Sequence, residues 1–325
     1  MKRILKALKQ AARTSSFYSI TSSLLILLVT ISGCDQKDIP AEGPALQIEQ
    51  VDVYVVNYPL AFFTKRLGGE LVQITFPVPA DQVPAYWEPD ENDMTGFQSA
   101  DLILLNGADY AKWTLRTSLP WSRTVVTTRN VEDQIIEVPN AVTHQHGLEG
   151  EHSHAGLASE TWIDPQMAIS QAGVIKDELQ KLLPNSADVI ENNFEQLKDE
   201  LQQLDKEFNS VFAKSKLPWT ASCPAFQYLG RRYHPQLKTV NWDPSVPPTE
   251  EQWAEFHKLL AGKESLFMLW TDQPDTKTLD RLKSRGVQVV VFRLAEQDNQ
   301  LNDYLSIMRD NLDNLKAATA TQTVK

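Results

Sequence analysis

A regular apolar stripe near the middle of the chain restricts the possible folds more than any other feature. Its residues are separated by alternating steps of four and three: Ile190, Phe194, Leu197, Leu201, Leu204, Phe208 and Val211. This spacing predicts one helix from Ala187 to Lys214, about 40 Å long at about 1.5 Å per residue. Pro184 and Asn185-Ser186 supply the break and the cap before it, and Pro218 ends it. A coiled-coil dimer would show the same stripe, but a single helix packed along both halves of the chain fits the globular segments on either side better.

Short runs rich in β-branched residues occur on both sides of this helix. They cover residues 51–57, 71–78, 101–106 and 123–127 before it, and residues 219–223, 237–242, 265–271 and 287–293 after it. Their nearly continuous apolar character is typical of parallel strands covered by helices on both faces. Because the runs alternate with helical spacing, we expect an α/β fold with two lobes. Each lobe should contain a mainly parallel sheet flanked by helices, and the long helix should join the two.

The amino terminus resembles a bacterial lipoprotein signal. Five basic residues precede an apolar stretch at residues 20–31, which is too short to span a bilayer as a mature helix. Ile31-Ser32-Gly33-Cys34 resembles a lipobox, which implies cleavage before Cys34 and a lipid on its thiol. An ordinary signal peptide with a coincidental cysteine is the alternative. The predicted domains are a signal peptide at 1–33, a flexible tether at 34–47, a first lobe at 48–184, a connecting helix at 185–216 and a second lobe at 217–325.

The charge balance restricts the possible partners. The whole chain carries a formal net charge of −11, and removal of residues 1–33 would remove basic residues only. Nucleic acid is therefore an improbable partner, because its phosphates require neutralising Lys and Arg. An acidic surface suits a protein that meets cations.

Four of the six histidines fall within one short segment, in a loop predicted at residues 143–157. His144 and His146 form one His-x-His pair, and His152 and His154 form a second. Glycines between the pairs would let the segment fold back so that both pairs reach one ion. A histidine-rich tract of this kind indicates metal binding. A polar loop with coincidental histidines is the alternative.

Several stretches together resemble a known family. They are "VVNYPLAFFTKRLGG", "SADLILLNGADYAKW", the histidine-rich loop just before "TWIDP", then "SCPAFQYLGRRY" and the closing "YLSIMRDNLDNL". In order and spacing they resemble the zinc/manganese substrate-binding proteins of bacterial ABC importers. The resemblance implies a metal site in a cleft between the lobes. It also implies a monomer anchored on the outer side of a bacterial membrane, with a permease and its ATPase as partners.

The ligand positions that the resemblance points to are altered. Where the family has its first histidine this chain has Ala85, and the next two histidine positions carry Glu160 and Cys223. The last position, a carboxylate, falls near Asp272, with Thr271 as the other match. Glu160, Cys223 and Asp272 would form an oxygen–sulfur–oxygen set for a divalent ion, with His152 or His154 as a fourth ligand. A thiolate favours zinc over manganese. The alternative is that Cys223 is a small buried apolar residue and that the carboxylates cap helices or line the rim.

Other functions have less support in the sequence. It contains no zinc-protease, nucleophile-elbow or phosphate-loop motif, so we do not expect an enzyme. Four tryptophans near the predicted cleft could bind a small cationic organic ligand by cation–π attraction, although packing between lobes explains them better: Trp87, Trp162, Trp242 and Trp270. An adhesin-like role without transport is a further alternative, which no residue favours.

Overall fold

The first half of the chain forms a four-stranded sheet and its covering helices. The computed structural model describes residues 50–138, 143–145, 151–153, 156–242, 246–260, 266–298 and 301–321. In chain order this half contains β1 (Val51–Val55), α1 (Tyr58–Gly68), β2 (Val72–Thr75), α2 (Glu91–Ser99), β3 (Leu102–Leu105) and β4 (Thr124–Val126). Asn57 caps α1 by accepting a hydrogen bond from Leu60 N at 3.1 Å. Asp90 and Asp93 form a capping box that starts α2.

Short antiparallel strands and two long helices follow. These elements are β5 (Glu137–Val138), β6 (Thr143–Gln145), β7 (Glu151–Ser153), β8 (Gly156–Leu157), α3 (Pro165–Leu182) and α4 (Ala187–Lys214). β5 pairs with β8, and β6 pairs with β7. We call the arm made by these four strands the histidine hairpin (residues 137–157).

The second half repeats the arrangement of the first. It contains β9 (Trp219–Ala221), α5 (Gln227–Tyr233), β10 (Lys238–Thr239), α6 (Glu250–Leu260), β11 (Leu266–Trp270), α7 (Thr276–Lys283), β12 (Val287–Val291) and α8 (Tyr304–Ala320). The strand order is β2-β1-β3-β4 in one sheet and β10-β9-β11-β12 in the other, and every neighbouring pair in both is parallel. The predicted α/β fold with two parallel sheets is confirmed. In each sheet the order reverses between the first and third strands, and ligands of such sheets bind at the carboxyl ends beside this reversal.

The long helix predicted from the apolar stripe is confirmed at both ends as α4 (Ala187–Lys214), and all seven stripe residues are buried. One side of the helix contacts α1 and α3, and another contacts α5 and α8, so it packs along both halves as a single helix. The predicted cap is wrong in one respect. Ser186 occupies the N-cap position, but its side chain makes no capping hydrogen bond, because the turn at Pro184–Ser186 leads directly into the helix.

Hydrogen bonds join the first half to the second, and the second half to α4. Trp162, ahead of α3, donates its indole N–H to the carbonyl of Leu294 at 2.6 Å. Tyr304, the first residue of α8, donates its hydroxyl to the Trp162 carbonyl at 2.7 Å. Arg232 of α5 binds Asp205 of α4 through two bonds of 2.6 and 2.7 Å. Within the described residues no helix is long and apolar enough to cross a membrane.

The packing of α4 predicts a large cost for truncating its stripe. Leu201 has 0% of its surface exposed, so Leu201→Ala should lower the free energy of unfolding by about 2–5 kcal/mol through lost burial and the cavity left behind. Val189 on the same helix is 55% exposed, and Val189→Ala should change this free energy by less than about 0.5 kcal/mol. Urea unfolding of both variants measures the difference. Equal losses would mean that α4 is not the shared core of the two halves.

Candidate metal centre

Five side chains from separate parts of the chain meet at the carboxyl ends of the two sheets. Tyr110 follows β3, Cys223 follows β9, Glu296 follows β12, Glu160 precedes α3, and Tyr86 comes from the loop before α2. Burial raises the pKa of Tyr86 well above its usual range, and the nearby charges of Glu160, Glu296 and Cys223 add to the shift. We call these five residues the cleft cluster.

A buried amide holds the first-half side of the cleft in place. Asn106, at the end of β3, accepts hydrogen bonds through Oδ1 from Asn57 at 3.2 Å, Gln171 at 3.1 Å and Thr161 at 3.3 Å. Its Nδ2 donates to the carbonyl of Ser159 at 2.9 Å. All of these residues except Ser159 are buried, so each unmade bond would leave a costly unsatisfied polar atom. The network therefore fixes the backbone immediately before Glu160.

A left-handed turn places Tyr110 in the cleft. Gly107, Ala108 and Asp109 have φ values of 86°, 51° and 54°. Such values are costly for residues with a Cβ and often occur at functional sites. At Gly107 a Cβ would lie 2.0 Å from Thr128 Oγ1, so the turn requires glycine there. The turn closes with a hydrogen bond from Tyr110 N to the Gly107 carbonyl at 3.2 Å.

Glu160 is half-buried at the end of the segment that follows the histidine hairpin. One carboxylate oxygen accepts a hydrogen bond from Ser159 N at 3.2 Å and the other from Ser159 Oγ at 3.1 Å. Burial raises the pKa of Glu160, and these hydrogen bonds and the charge of Lys112 oppose the shift. The carboxylate therefore remains partly accessible while its orientation is fixed.

Glu296 is the cleft carboxylate that the sequence analysis missed, as it also missed Tyr86 and Tyr110. It follows Ala295, whose φ of 58° turns the chain after β12, and its own carbonyl accepts a hydrogen bond from Tyr58 N at 3.1 Å. Its carboxylate accepts a hydrogen bond from Tyr110 Oη at 3.1 Å. Burial, together with repulsion from Glu160, raises the pKa of Glu296 to about 7. The only available signal was its place after the last strand of the second sheet.

Cys223 contributes a thiol from the second half. It is a free cysteine on extended backbone after β9, and the residue is half-buried. Burial raises the pKa of the thiol to about 12, and the charges of Glu160 and Glu296 act in the same direction. In the absence of a cation the group is therefore a neutral thiol, and a bound metal ion would be needed to make it a thiolate.

Asp272 lies apart from this cluster. It is exposed after β11, and its carboxylate accepts a hydrogen bond from the neighbouring Gln273 N at 2.7 Å. Among the described residues, no three His, Cys, Asp or Glu side chains are close enough together to hold a metal ion. Ala85 is buried, and its carbonyl accepts a hydrogen bond from Lys112 N at 3.2 Å.

The histidine hairpin brings two of its histidines into register. His144 of β6 pairs with His152 of β7, between the pairs Thr143–Ser153 and Gln145–Glu151. His146 and His154 lie outside the described residues. The predicted fold-back of the segment is therefore present in the described strands, and the ligand role of its histidines remains a prediction.

The four tryptophans are buried and packed. Trp162 donates its indole N–H to Leu294, and Trp242 lies against Trp270 with ring centroids 6.0 Å apart. Trp87 is also buried, so these rings serve the core and the contact between halves. This favours the packing interpretation over a tryptophan-lined pocket for an organic cation.

The electrostatics of the cleft cluster suit a cation. Two carboxylates and a thiol share a half-buried space, and within the described part of the chain no Lys, Arg or His forms an ion pair with Glu160 or Glu296. Like charges in such a space favour protonation or the binding of a positive ion. Carboxylate and thiolate are both accepted ligands of zinc.

Comparisons with known proteins identify relatives that are named for metal binding and transport. The family model described as ZnuA, "Zinc-uptake complex component A periplasmic", matches residues 53–318. The manganese ABC transporter substrate-binding lipoprotein PsaA of Streptococcus mitis is 26% identical, over 95% of this chain and 99% of its own length. The zinc-binding lipoprotein AdcA of Streptococcus pneumoniae is 23% identical over 93% of this chain, which spans 60% of AdcA.

Solved structures show the same fold. The metal-dependent lipoprotein YcdH of Bacillus subtilis has a TM-score of 0.68 at 21% identity, covering 82% of this chain and 98% of its own. The Zn(II)-bound ZnuA-like domain of S. pneumoniae AdcA has a TM-score of 0.68 at 20% identity, covering 83% of this chain and 99% of its own. The relatives are named as binding proteins of metal uptake, in line with a function other than catalysis. The extent of the family match shows that this chain belongs to the ZnuA family of zinc-uptake components.

Proposed function

We propose that this protein binds a divalent metal ion, zinc before manganese, outside the cytoplasm and delivers it to the permease of an ABC importer. The observation that supports this most directly is the cleft cluster. Glu160 and Glu296 are half-buried, and the charge of Glu160 helps to raise the pKa of Glu296. Keeping two such carboxylates close together costs free energy that a bound cation would recover.

The proposed ligands are Glu160, Cys223 and Glu296, with Asp272 as the alternative second carboxylate that the sequence favoured. The charges of the first three all act on Tyr86, which supports a common site, whereas Asp272 is exposed. An ion would have to draw the three donors closer than they now lie, since no metal-holding group is present among the described residues. A thiolate donor favours zinc over manganese.

The histidine hairpin is proposed to collect the ion. It ends at β8 (Gly156–Leu157), three residues before Glu160, so its base adjoins the cleft. His144 and His152 are paired in the backbone register of the ladder, and His146 and His154 complete the two His-x-His pairs of the sequence. His152 or His154 is the proposed fourth ligand of the cleft ion.

The remaining parts of the proposal concern anchoring and partners. A lipid on Cys34, followed by the tether at residues 34–47, would hold a monomer on the outer face of a bacterial membrane. The partner would be a permease with its ATPase, because the chain has no phosphate-binding loop with which to use ATP. The names of the relatives include lipoprotein and ABC transporter, which supports this arrangement.

Substitution of the proposed ligands should show which of the two candidate carboxylates, Glu296 or Asp272, binds the ion. Loss of a group that only supports a ligand costs about 10–100-fold in metal affinity, so Cys223→Ser and Glu296→Gln should each weaken zinc binding by at least about 100-fold. Asp272→Asn should change the affinity by less than about threefold, because an exposed carboxylate on its own loop contributes little. Competition titration against a chelator measures all three. A large loss in Asp272→Asn with none in Glu296→Gln would restore the sequence-based ligand set.

The raised pKa of Glu296 predicts an unusual pH dependence in the metal-free protein. Its pKa is about 7 in the folded chain against an ordinary 4.5, so the folded state holds this proton more tightly. The folded state is therefore stabilised fully below about pH 4.5, and this stabilisation is lost as the pH rises through 7. At about 1.4 kcal/mol per pKa unit, the free energy of unfolding should fall by up to about 3 kcal/mol. Glu296→Gln should remove this loss, whereas Asp272→Asn should keep it.

Urea unfolding in the presence of a chelator at pH 5 and pH 8 measures this effect. The free energy of unfolding of Glu296→Gln minus that of wild type should be larger at pH 8 than at pH 5. A constant difference at both pH values would show that the carboxylate is already solvated in the folded chain.

Removal of the hairpin histidines should reduce the amount of zinc bound without emptying the cleft. A variant with alanine at positions 144, 146, 152 and 154 should retain one zinc ion on the three cleft ligands, held less tightly without its histidine, and lose the others, and it should load more slowly. Native mass spectrometry counts the ions. The matched control changes the two histidines outside the hairpin, His234 and His257, and should bind as wild type does. If the fourfold variant retains no zinc, the hairpin is the binding site and the cleft is not.

A further inference from the structure

A tyrosine hydroxyl from the second half is inserted into the base of the histidine hairpin. β5 and β8 pair Glu137 with Leu157 and Val138 with Gly156. The next pair outward is Ile136 and Ala158, and only one of its two hydrogen bonds is direct, from Ala158 N to the Ile136 carbonyl at 2.8 Å. The other passes through a side chain. Ile136 N donates to Tyr228 Oη at 3.3 Å, and Tyr228 Oη donates to the Ala158 carbonyl at 2.7 Å.

The ring that carries this hydroxyl is held firmly. Tyr228 lies in α5 and is fully buried. The Arg231 guanidinium carbon lies 5.0 Å from the centre of its ring, and Arg231 also donates a hydrogen bond to the Gln134 carbonyl. The position of the hydroxyl is therefore set by α5, and the end of the hairpin must conform to it.

The same hydroxyl links the chain segments that carry two of the proposed ligands. Tyr228 follows Cys223 by one short turn, Pro224–Phe226, and the start of α5. Ala158, whose carbonyl it binds, precedes Glu160 by two residues. One hydrogen-bonded group thus joins the hairpin base, the Glu160 segment and the Cys223 segment.

We propose that Tyr228 is a positioning residue that couples the histidine hairpin to the cleft. Through its hydroxyl, the arrangement of the hairpin sets the separation of the Glu160 and Cys223 segments, and hence how well the cleft closes on an ion. The expected effect on metal affinity rests on the proposed metal-binding function. The hydrogen-bonded coupling between hairpin and cleft does not depend on a metal.

Tyr228→Phe tests the coupling because it removes only the hydroxyl. Tyr304→Phe is the matched control, since Tyr304 is also buried and also donates to a backbone carbonyl beside Glu160, at Trp162, and its hydroxyl bond does not involve the described residues of the hairpin. In the metal-free full chain, Tyr228→Phe should speed amide hydrogen exchange in β6, β7 and residues 158–161 together. Tyr304→Phe should leave β6 and β7 as in wild type. Unchanged exchange of the hairpin in Tyr228→Phe would overturn the coupling.

A double-mutant cycle tests the consequence for the ion. Each Tyr→Phe change is made in the wild-type chain and in the variant with alanine at the four hairpin histidines. Cleft binding is measured with Co²⁺ through the thiolate-to-cobalt absorption, with Cys223→Ser as the blank. Tyr228→Phe should weaken cleft binding by about threefold to tenfold in the wild-type chain and by much less in the histidine-free chain.

The outcomes separate the two proposals. Tyr304→Phe should change the Co²⁺ affinity equally in the wild-type and histidine-free chains. If Tyr228→Phe also changes it equally in both, Tyr228 has only a structural role. If the wild-type chain binds no Co²⁺ or Zn²⁺, the metal-binding function fails, and the exchange measurement alone still decides whether Tyr228 couples hairpin and cleft.

Discussion

The buried amide of Asn106 is the interaction on which the geometry of the cleft depends. Its two polar side-chain atoms bind partners from the N-cap of α1, from α3 and from both sides of Glu160, and none of the buried members could turn to water if one bond were lost. The ends of β1 and β3 are thereby locked to the chain that leaves the histidine hairpin. A fully satisfied network of this kind permits one arrangement, and the position of Glu160 follows from it.

The fold could be predicted because its signals are local. The stripe in α4 repeats over 28 residues, so its period alone identifies a helix and the face that is buried. The eight strands are short, but apolar runs between turns are typical of parallel sheets, and all eight were found within a few residues of their observed positions. The prediction that the Ser186 side chain caps the helix was wrong for a local reason too, since a preceding turn can start a helix without a side-chain acceptor.

The site could be predicted only in part, because its residues come together through long-range packing. Glu160 and Cys223 were predicted from positions at which the resemblance implies ligands. Glu296 belongs to no periodic pattern, and it reaches the cleft only because Ala295 adopts a left-handed conformation after β12. Asp272 follows a neighbouring strand of the same sheet, so position after a strand offers no physical reason to prefer one carboxylate over the other. Side-chain direction after a strand depends on the loop, and the loop is the least regular part of the fold.

The anchoring of residues 158–162 has a consequence for substitutions at position 160. Ala158, Ser159 and Trp162 are each held through their carbonyls, by Tyr228, Asn106 and Tyr304, and none of these three side chains is a proposed ligand. The backbone at position 160 is thus independent of the side chain that it carries. A substitution at position 160 would therefore change the side chain that this backbone presents while the scaffold that holds the backbone stays the same.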